Sequence, residues 1–353
     1  KEQSDKGNGE ALLNPKASSL TFYQKGAWAL HILREKIGEN AFREAVKNYL
    51  ETNAYHNVTT SDFLFQAEKS SGMDLSDFKE NWLQQSAFQA DEALESLRKS
   101  LFIVSYLNLA AARKIPFQDK KMLLSKALDF PVNDYLGQAR LNETLGQEVV
   151  RQLSEETFSQ DVIQLYEKAF KSDNILVRQA IATFVETVPQ ELKSEYESLL
   201  KDASYFTKEK ALLHLWSNFP KNRVKYLDAT QGIEGFPDKN IELLWLTLNL
   251  VTPEYHPEKK QDVFEKLSHY TAPEFAYPVR ENAFGYLYQI NTFTAQNYID
   301  LLEGCVHPVW RFQKFCRELL EELLKDSDHY KNLKNIRSEL PEKQKQFLDK
   351  KLE

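Results

Sequence analysis

The stretch Thr21–Ile37, TFYQKGAWALHILREKI, decides how the rest of the chain is read. Tyr23, Gly26, Leu30, Leu33 and Ile37 recur at steps of three and four, which places them on one face of an α-helix. Gly38 follows as a stop, because glycine takes the left-handed conformation at a helix end without a Cβ clash. Upstream, residues 1–19 are polar, carry Gly7, Gly9 and Pro15, and sustain no period, so they read as a loop. Downstream, Phe42, Val46, Tyr49 and Leu50 mark a second helix. Thr59 or Thr60 caps a third, which buries Phe63, Leu64 and Ala67 and ends near Gly72. Asp74 opens a fourth, with Leu75, Phe78 and Trp82 on one face. These helices are expected to form one compact unit over residues 1–88.

The pattern changes beyond Phe88. Pro15 is the only proline before Pro116, whereas the later prolines fall mostly at the ends of helical segments. No run of β-branched residues alternates long enough for a strand. From about residue 170 the helices come in pairs, whose first members are expected to start near Val177, Ala211, Ile241, Val279 and Val309. Their spacing of roughly 30–40 residues is the scale of helical solenoids. Val177-Arg178 precedes Ala180 and Phe184 as Val279-Arg280 precedes Ala283 and Leu287, so Arg178 and Arg280 hold equivalent places in two repeats. Trp216, Trp245 and Trp310 fall on first helices, where large aromatics are expected to fill the seams. Residues 90–170 read as helical but less regular, a capping end of the array, and Pro341–Glu353 as a short charged terminal helix. The expected fold is all-α: a helical unit over 1–88, then an α-solenoid of HEAT or armadillo-like pairs over 89–353.

Composition excludes some functions. Hydrophobic residues make up 42% and charged residues 27%, as in ordinary globular proteins. A net charge of -7 argues against nucleic acid as a partner. The longest apolar stretch, Leu101 to Ala112, is too short for a membrane span. Cys305 and Cys316 form no Cys-x-x-Cys pair and read as small buried apolar residues; they assign no compartment. The chain starts at Lys1 and reads as a segment of a longer protein.

No familiar catalytic site assembles from these residues. The histidines are His31, His56, His214, His256, His269, His307 and His329, and none forms His-x-x-x-His. There is no nucleophile elbow, phosphate-binding loop or dinucleotide fingerprint. His31 and Glu35 lie one helical turn apart, but two metal ligands without a third make a poor site, and a helix-surface contact is the simpler reading. Lys208-Glu209-Lys210 and Glu258-Lys259-Lys260 read as solvated faces. Tyr23 by itself reads as a packing residue. Gly26, one turn later, removes a side chain and permits a close approach.

Taken together, these motifs resemble the M1 family of zinc aminopeptidases. The likeness covers residues 20–83. It begins with Tyr23, Lys25, Gly26 and Ala27, and continues through Gly38, Phe42 and Tyr49-Leu50. Asn57, Thr59 and Asp62 resemble the family's Asn-x-Thr-x-x-Asp helix entry. Gly72, Asp74-Leu75, Phe78 and Trp82-Leu83 resemble its closing pattern. The resemblance implies the final helices of a thermolysin-like catalytic domain, followed by a HEAT-like domain that limits substrate length. It implies that Tyr23 is catalytic, its hydroxyl pointing at the scissile carbonyl oxygen. A phenol titrates near ~10, so it keeps its proton at neutral pH and can donate to a developing oxyanion. The family binds zinc through a His-Glu-x-x-His helix and a later Glu. It recognises the substrate's free amino terminus with a Gly-x-Met-Glu-Asn strand. Neither motif is present here, so the resemblance implies zinc ligands outside this chain, an upstream catalytic segment of the same protein as partner, and peptide substrates. It also implies that the chain alone is inactive. Ser86-Ala87-Phe88-Gln89 leads straight into helices without the β-sandwich of many members, as in the leukotriene-hydrolase branch. The alternative is a helical-repeat scaffold for a protein partner, or an inactive homologue that kept the fold.

Overall fold

The computed structural model describes residues 1–129 and 136–352, with 136–144 described by backbone alone. The helical expectation for residues 130–135 lies outside the described residues. Every regular element among the described residues is a helix, so the fold is all-α. The chain divides into two compact units, Lys1–Asn108 and Leu109–Glu353.

In the first unit the stops act where glycine chemistry puts them. Gly38 has φ +85° and Gly72 φ +68°, conformations that cost a side-chain-bearing residue energy. Between them run the helices Glu39–Thr52 and Thr60–Ser71. The second opens with a reciprocal cap: the Asp62 amide donates to Thr59 Oγ1 while the Thr59 amide donates to the Asp62 carboxylate. The fourth helix starts at Ser76, whose amide donates to Asp74 Oδ1 at 2.9 Å, and widens into a π-helical stretch over Lys79–Gln84. Leu33, Leu75 and Trp82 are each 1% exposed at the centre of the core. The helix Ala90–Arg98 packs on Gly26–Ile37 and places Ala93 in the same core.

The stripe read from Thr21–Ile37 is only half buried. Leu33 and Ile37 are inside, but Tyr23 is 80% and Leu30 48% exposed. The first turn, Thr21–Lys25, is π-helical rather than α-helical. Its extra residue breaks the 3.6-residue projection between Tyr23 and Gly26. The buried stripe instead runs through Lys25, Ala29, Ile32 and Leu33.

In the second unit the first helices of the pairs are Ile175–Phe184, Tyr205–Asn218, Asn240–Leu250, Tyr277–Gln289 and Trp310–Leu323, and each packs on the next. The second of them starts six residues before the expected Ala211. Ser204 caps it there, its hydroxyl accepting from the Thr207 amide at 3.3 Å. Arg178 and Arg280 make the same connection in their pairs. Arg178 bonds the Asp202 carboxylate and the Ser172 carbonyl. Arg280 bonds the carbonyls of Thr271, at 2.8 Å, and Asp300, at 3.0 Å. Each guanidinium thus ties its helix to the loop before it and to a later segment, Asp202 just past the turn Leu199–Lys201 for Arg178 and Asp300 within the helix Ala295–Gly304 for Arg280.

Trp216 and Trp245 are partly buried, their indoles donating to Thr252 Oγ1 and to the Leu227 carbonyl. Trp310 corrects the expectation of seam filling: at the first position of its helix it is 71% exposed, with Lys314 one turn on lying over its ring. Cys305 and Cys316 are free thiols with no exposure, and burial pushes Cys305 up to about 12 and Cys316 up as well. Among the described residues no helix is long and apolar enough to cross a membrane.

Candidate active-site turn

Tyr23 is the third residue of the π-helical turn. No hydrogen bond ties its hydroxyl to another described residue. The ring stands at a groove of about 410 Å³ whose wall is apolar, with Leu12, Phe22, Leu30, Phe63 and Leu83 among its residues and Gly26 at its floor beside Leu12. Leu13 and Leu83 join their backbones across the groove's edge at 3.2 Å.

The turn is held at both ends. At its start, Glu10 Oε2 accepts from the Ser18 amide at 2.9 Å, the Ser18 hydroxyl at 2.6 Å and the Thr21 hydroxyl at 2.8 Å. These donors keep the Glu10 carboxyl below its ordinary range, the Ser18 hydroxyl most of all. At its end, Lys25 is 7% exposed, and its ammonium donates to the carbonyls of Glu10, Gln85 and Ser86 at 3.0, 2.6 and 3.3 Å. Burial lowers the Lys25 pKa. Sequence reasoning passed over both anchors. Lys25 carried a signal, since it falls on the buried stripe with Ala29 and Ile32. Glu10 carried none, lying in a loop without period.

A larger cavity of about 800 Å³ borders the same turn at Gln24, Lys25 and Trp28, and Tyr23 is not in its wall. Chemistry therefore points to the smaller groove, where the free hydroxyl stands. His31 and Glu35 meet at 3.4 Å, and both also reach Ser96: His31 Nε2 lies 2.8 Å from its hydroxyl, which donates to Glu35 at 2.9 Å. Lys99 completes the cluster at 2.6 Å from Glu35. The ammonium and hydroxyl hold the Glu35 carboxyl below its ordinary range, and the cluster fastens Ala90–Arg98 to Gly26–Ile37. Among the described residues no group of three or more His, Cys, Asp or Glu is placed to hold a metal. The described residues therefore do not fit a catalytic zinc.

Residues 15–82 match the peptidase family M1 domain. The chain is similar to aminopeptidase N of Lactococcus lactis subsp. lactis, 31% identical over 110 residues, which are 30% of this chain and 13% of that protein. It is also similar to probable aminopeptidase 2 of Sulfurisphaera tokodaii, 35% identical over 66 residues, 19% of this chain and 8% of that protein. The chain thus covers only a small part of the length of the curated relatives it matches. No solved structure gives a significant match. The turn, its following helices and their caps lie inside residues 15–82, the region that matches the peptidase family M1 domain.

Proposed function

We propose that the chain is part of an M1-type aminopeptidase that removes amino-terminal residues from peptides, and that Tyr23 is its oxyanion donor. The observation that carries this reading is the exposed, unpartnered Tyr23 hydroxyl on an anchored turn within the M1-matched residues. As the scissile carbonyl is attacked, its oxygen gains negative charge. A phenol donates a hydrogen bond to that oxygen, and one carried on an anchored backbone turn starts near its place. Losing one such donor typically costs about 10²–10³ in rate.

Aminopeptidases of this family depend on zinc, which activates water for attack on the peptide bond. No ligand set among the described residues fits it. We assign the zinc ligands and the pocket for the substrate's free amino group to an upstream catalytic segment of the same protein. The apolar groove beside Tyr23 supports this, since an exposed wall of leucine and phenylalanine suits a covering element. The helix pairs of the second unit are read as an α-solenoid that limits substrate length. On this reading the chain alone binds no catalytic zinc and hydrolyses nothing measurable.

The test is hydrolysis of aminoacyl-anilides by the longer protein, wild type beside Tyr23→Phe. Zinc-dependent activity that collapses in the variant supports the reading. Activity untouched by the substitution removes Tyr23 from the chemistry. No activity with any substrate or added zinc leaves the helical scaffold or the inactive homologue.

A further inference from the structure

We propose that Lys25 and Glu10 are positioning residues: together they clamp the π-helical turn so that the Tyr23 ring projects in one direction. The functional meaning of this clamp rests on the reading of Tyr23 as oxyanion donor; its geometry does not. Lys25 is a buried cation with no carboxylate within ion-pair reach among the described residues. Removing an ammonium from water is unfavourable, and a methionine would fill the same space without that penalty. What the ammonium supplies is geometry. Its three N–H donors meet three main-chain oxygens from two separate segments, residue 10 and residues 85 and 86.

Glu10 closes the clamp, because it grips the turn twice. Its carboxylate holds Ser18 and Thr21 at the start of the turn, and its carbonyl takes the Lys25 ammonium at the end. Tyr23 lies midway, two residues from each grip. A π-helical turn has poorer hydrogen-bond geometry than an α-helix and persists where its surroundings require it. Relaxing it to an α-helical turn removes one residue from the register. Everything on its amino-terminal side then rotates by about 100° around the helix axis. The phenol would swing away from its present place at the groove.

The clamp is tested on the chain itself by amide hydrogen exchange and by spectra of tyrosine labelled with ¹³C in the ring. Lys25→Met is expected to speed exchange at Phe22–Lys25 about tenfold or more and to move the Tyr23 ring resonance. Protection in Thr60–Ser71 should stay as in wild type. Glu10→Gln, which keeps the carbonyl and removes the charge, should give the same pattern more weakly. It carries the test if Lys25→Met does not fold. An undisturbed turn, or loss of protection spread evenly over the unit, makes Lys25 an ordinary packing residue and overturns the proposal.

In the longer protein, Lys25→Met should lower kcat about tenfold with KM unchanged, and this loss should vanish in a Tyr23→Phe background. Equal losses in both backgrounds overturn positioning through Tyr23. A loosened turn beside a harmless Tyr23→Phe leaves the clamp standing and removes only the oxyanion reading.

Discussion

The indole nitrogen of Trp82 donates to the Glu92 carboxylate across 2.7 Å, joining the π-helical stretch Lys79–Gln84 to the helix Ala90–Arg98. The ring is 1% exposed and meets Phe88 edge to face at 5.7 Å. Glu92→Ala leaves the indole N–H buried without its acceptor, which should cost about 1–3 kcal/mol. Glu92→Gln keeps an acceptor and should cost less than half as much. Denaturant unfolding of the chain measures both. Equal midpoints for Glu92→Ala and wild type would mean that water replaces the carboxylate and that the bond stabilises nothing.

Arg280 and Arg178 make the same tie with unequal burial, their side chains 2% and 20% exposed. Arg280→Met leaves the Thr271 carbonyl without its donor and the partly exposed Glu303 carboxylate without its cation, and should destabilise the second unit by about 1–3 kcal/mol. Arg178→Met leaves the Asp202 carboxylate, 2% exposed, without its cation and should cost more, about 3–5 kcal/mol. Thermal melts of the two variants rank them. An equal or smaller loss for Arg178→Met would refute the unpaired buried carboxylate as the deciding factor.

Gly304 and Gly285 predict opposite signs for one substitution. A Cβ on Gly304 would strike Cys316 Sγ and approach the Phe312 ring to 3.2 Å. Gly304→Ala should therefore cost about 1–3 kcal/mol by overpacking. A Cβ on Gly285, inside the helix Tyr277–Gln289, meets nothing within 4 Å. Gly285→Ala should stabilise by about 0.5–1 kcal/mol through reduced backbone entropy of the unfolded chain. Chemical denaturation decides, and a tolerated Gly304→Ala would show that the helix end shifts at little cost.

His214 sets a pH dependence. Burial and, next, the nearby Lys210 charge hold its pKa below the ordinary 6.5, while Tyr196 shares its Nδ1 at 2.8 Å. A histidine with a lowered folded pKa binds protons more readily unfolded. Its stabilising contribution is therefore complete above about pH 6.5 and is lost as pH falls below that value. Melting temperature followed from pH 7.5 down to about 5 should fall, and His214→Gln should flatten part of that fall. An identical slope in the variant would assign the acid sensitivity to other groups.

Much of the secondary structure was legible because its signals are local. Gly38, Gly72 and the Thr59–Asp62 cap act within one turn of where they stand, and the first helices of the later pairs follow a period a few residues long. The likeness to peptidase family M1 was likewise carried by the order and spacing of short motifs over residues 20–83, close to the matched residues 15–82. Tertiary structure decided what covers each face. Periodicity put Tyr23 and Leu33 on one stripe, yet the π-helical turn separates them, one exposed and one buried. Trp310 carries the same hydrophobic content as Trp216, and its place at a helix start leaves it in solvent. The clamp on Tyr23 needed Lys25 to meet Gln85, 60 residues away. Such a meeting has no signature in spacing, because it depends on where separate segments come to lie once the core has closed.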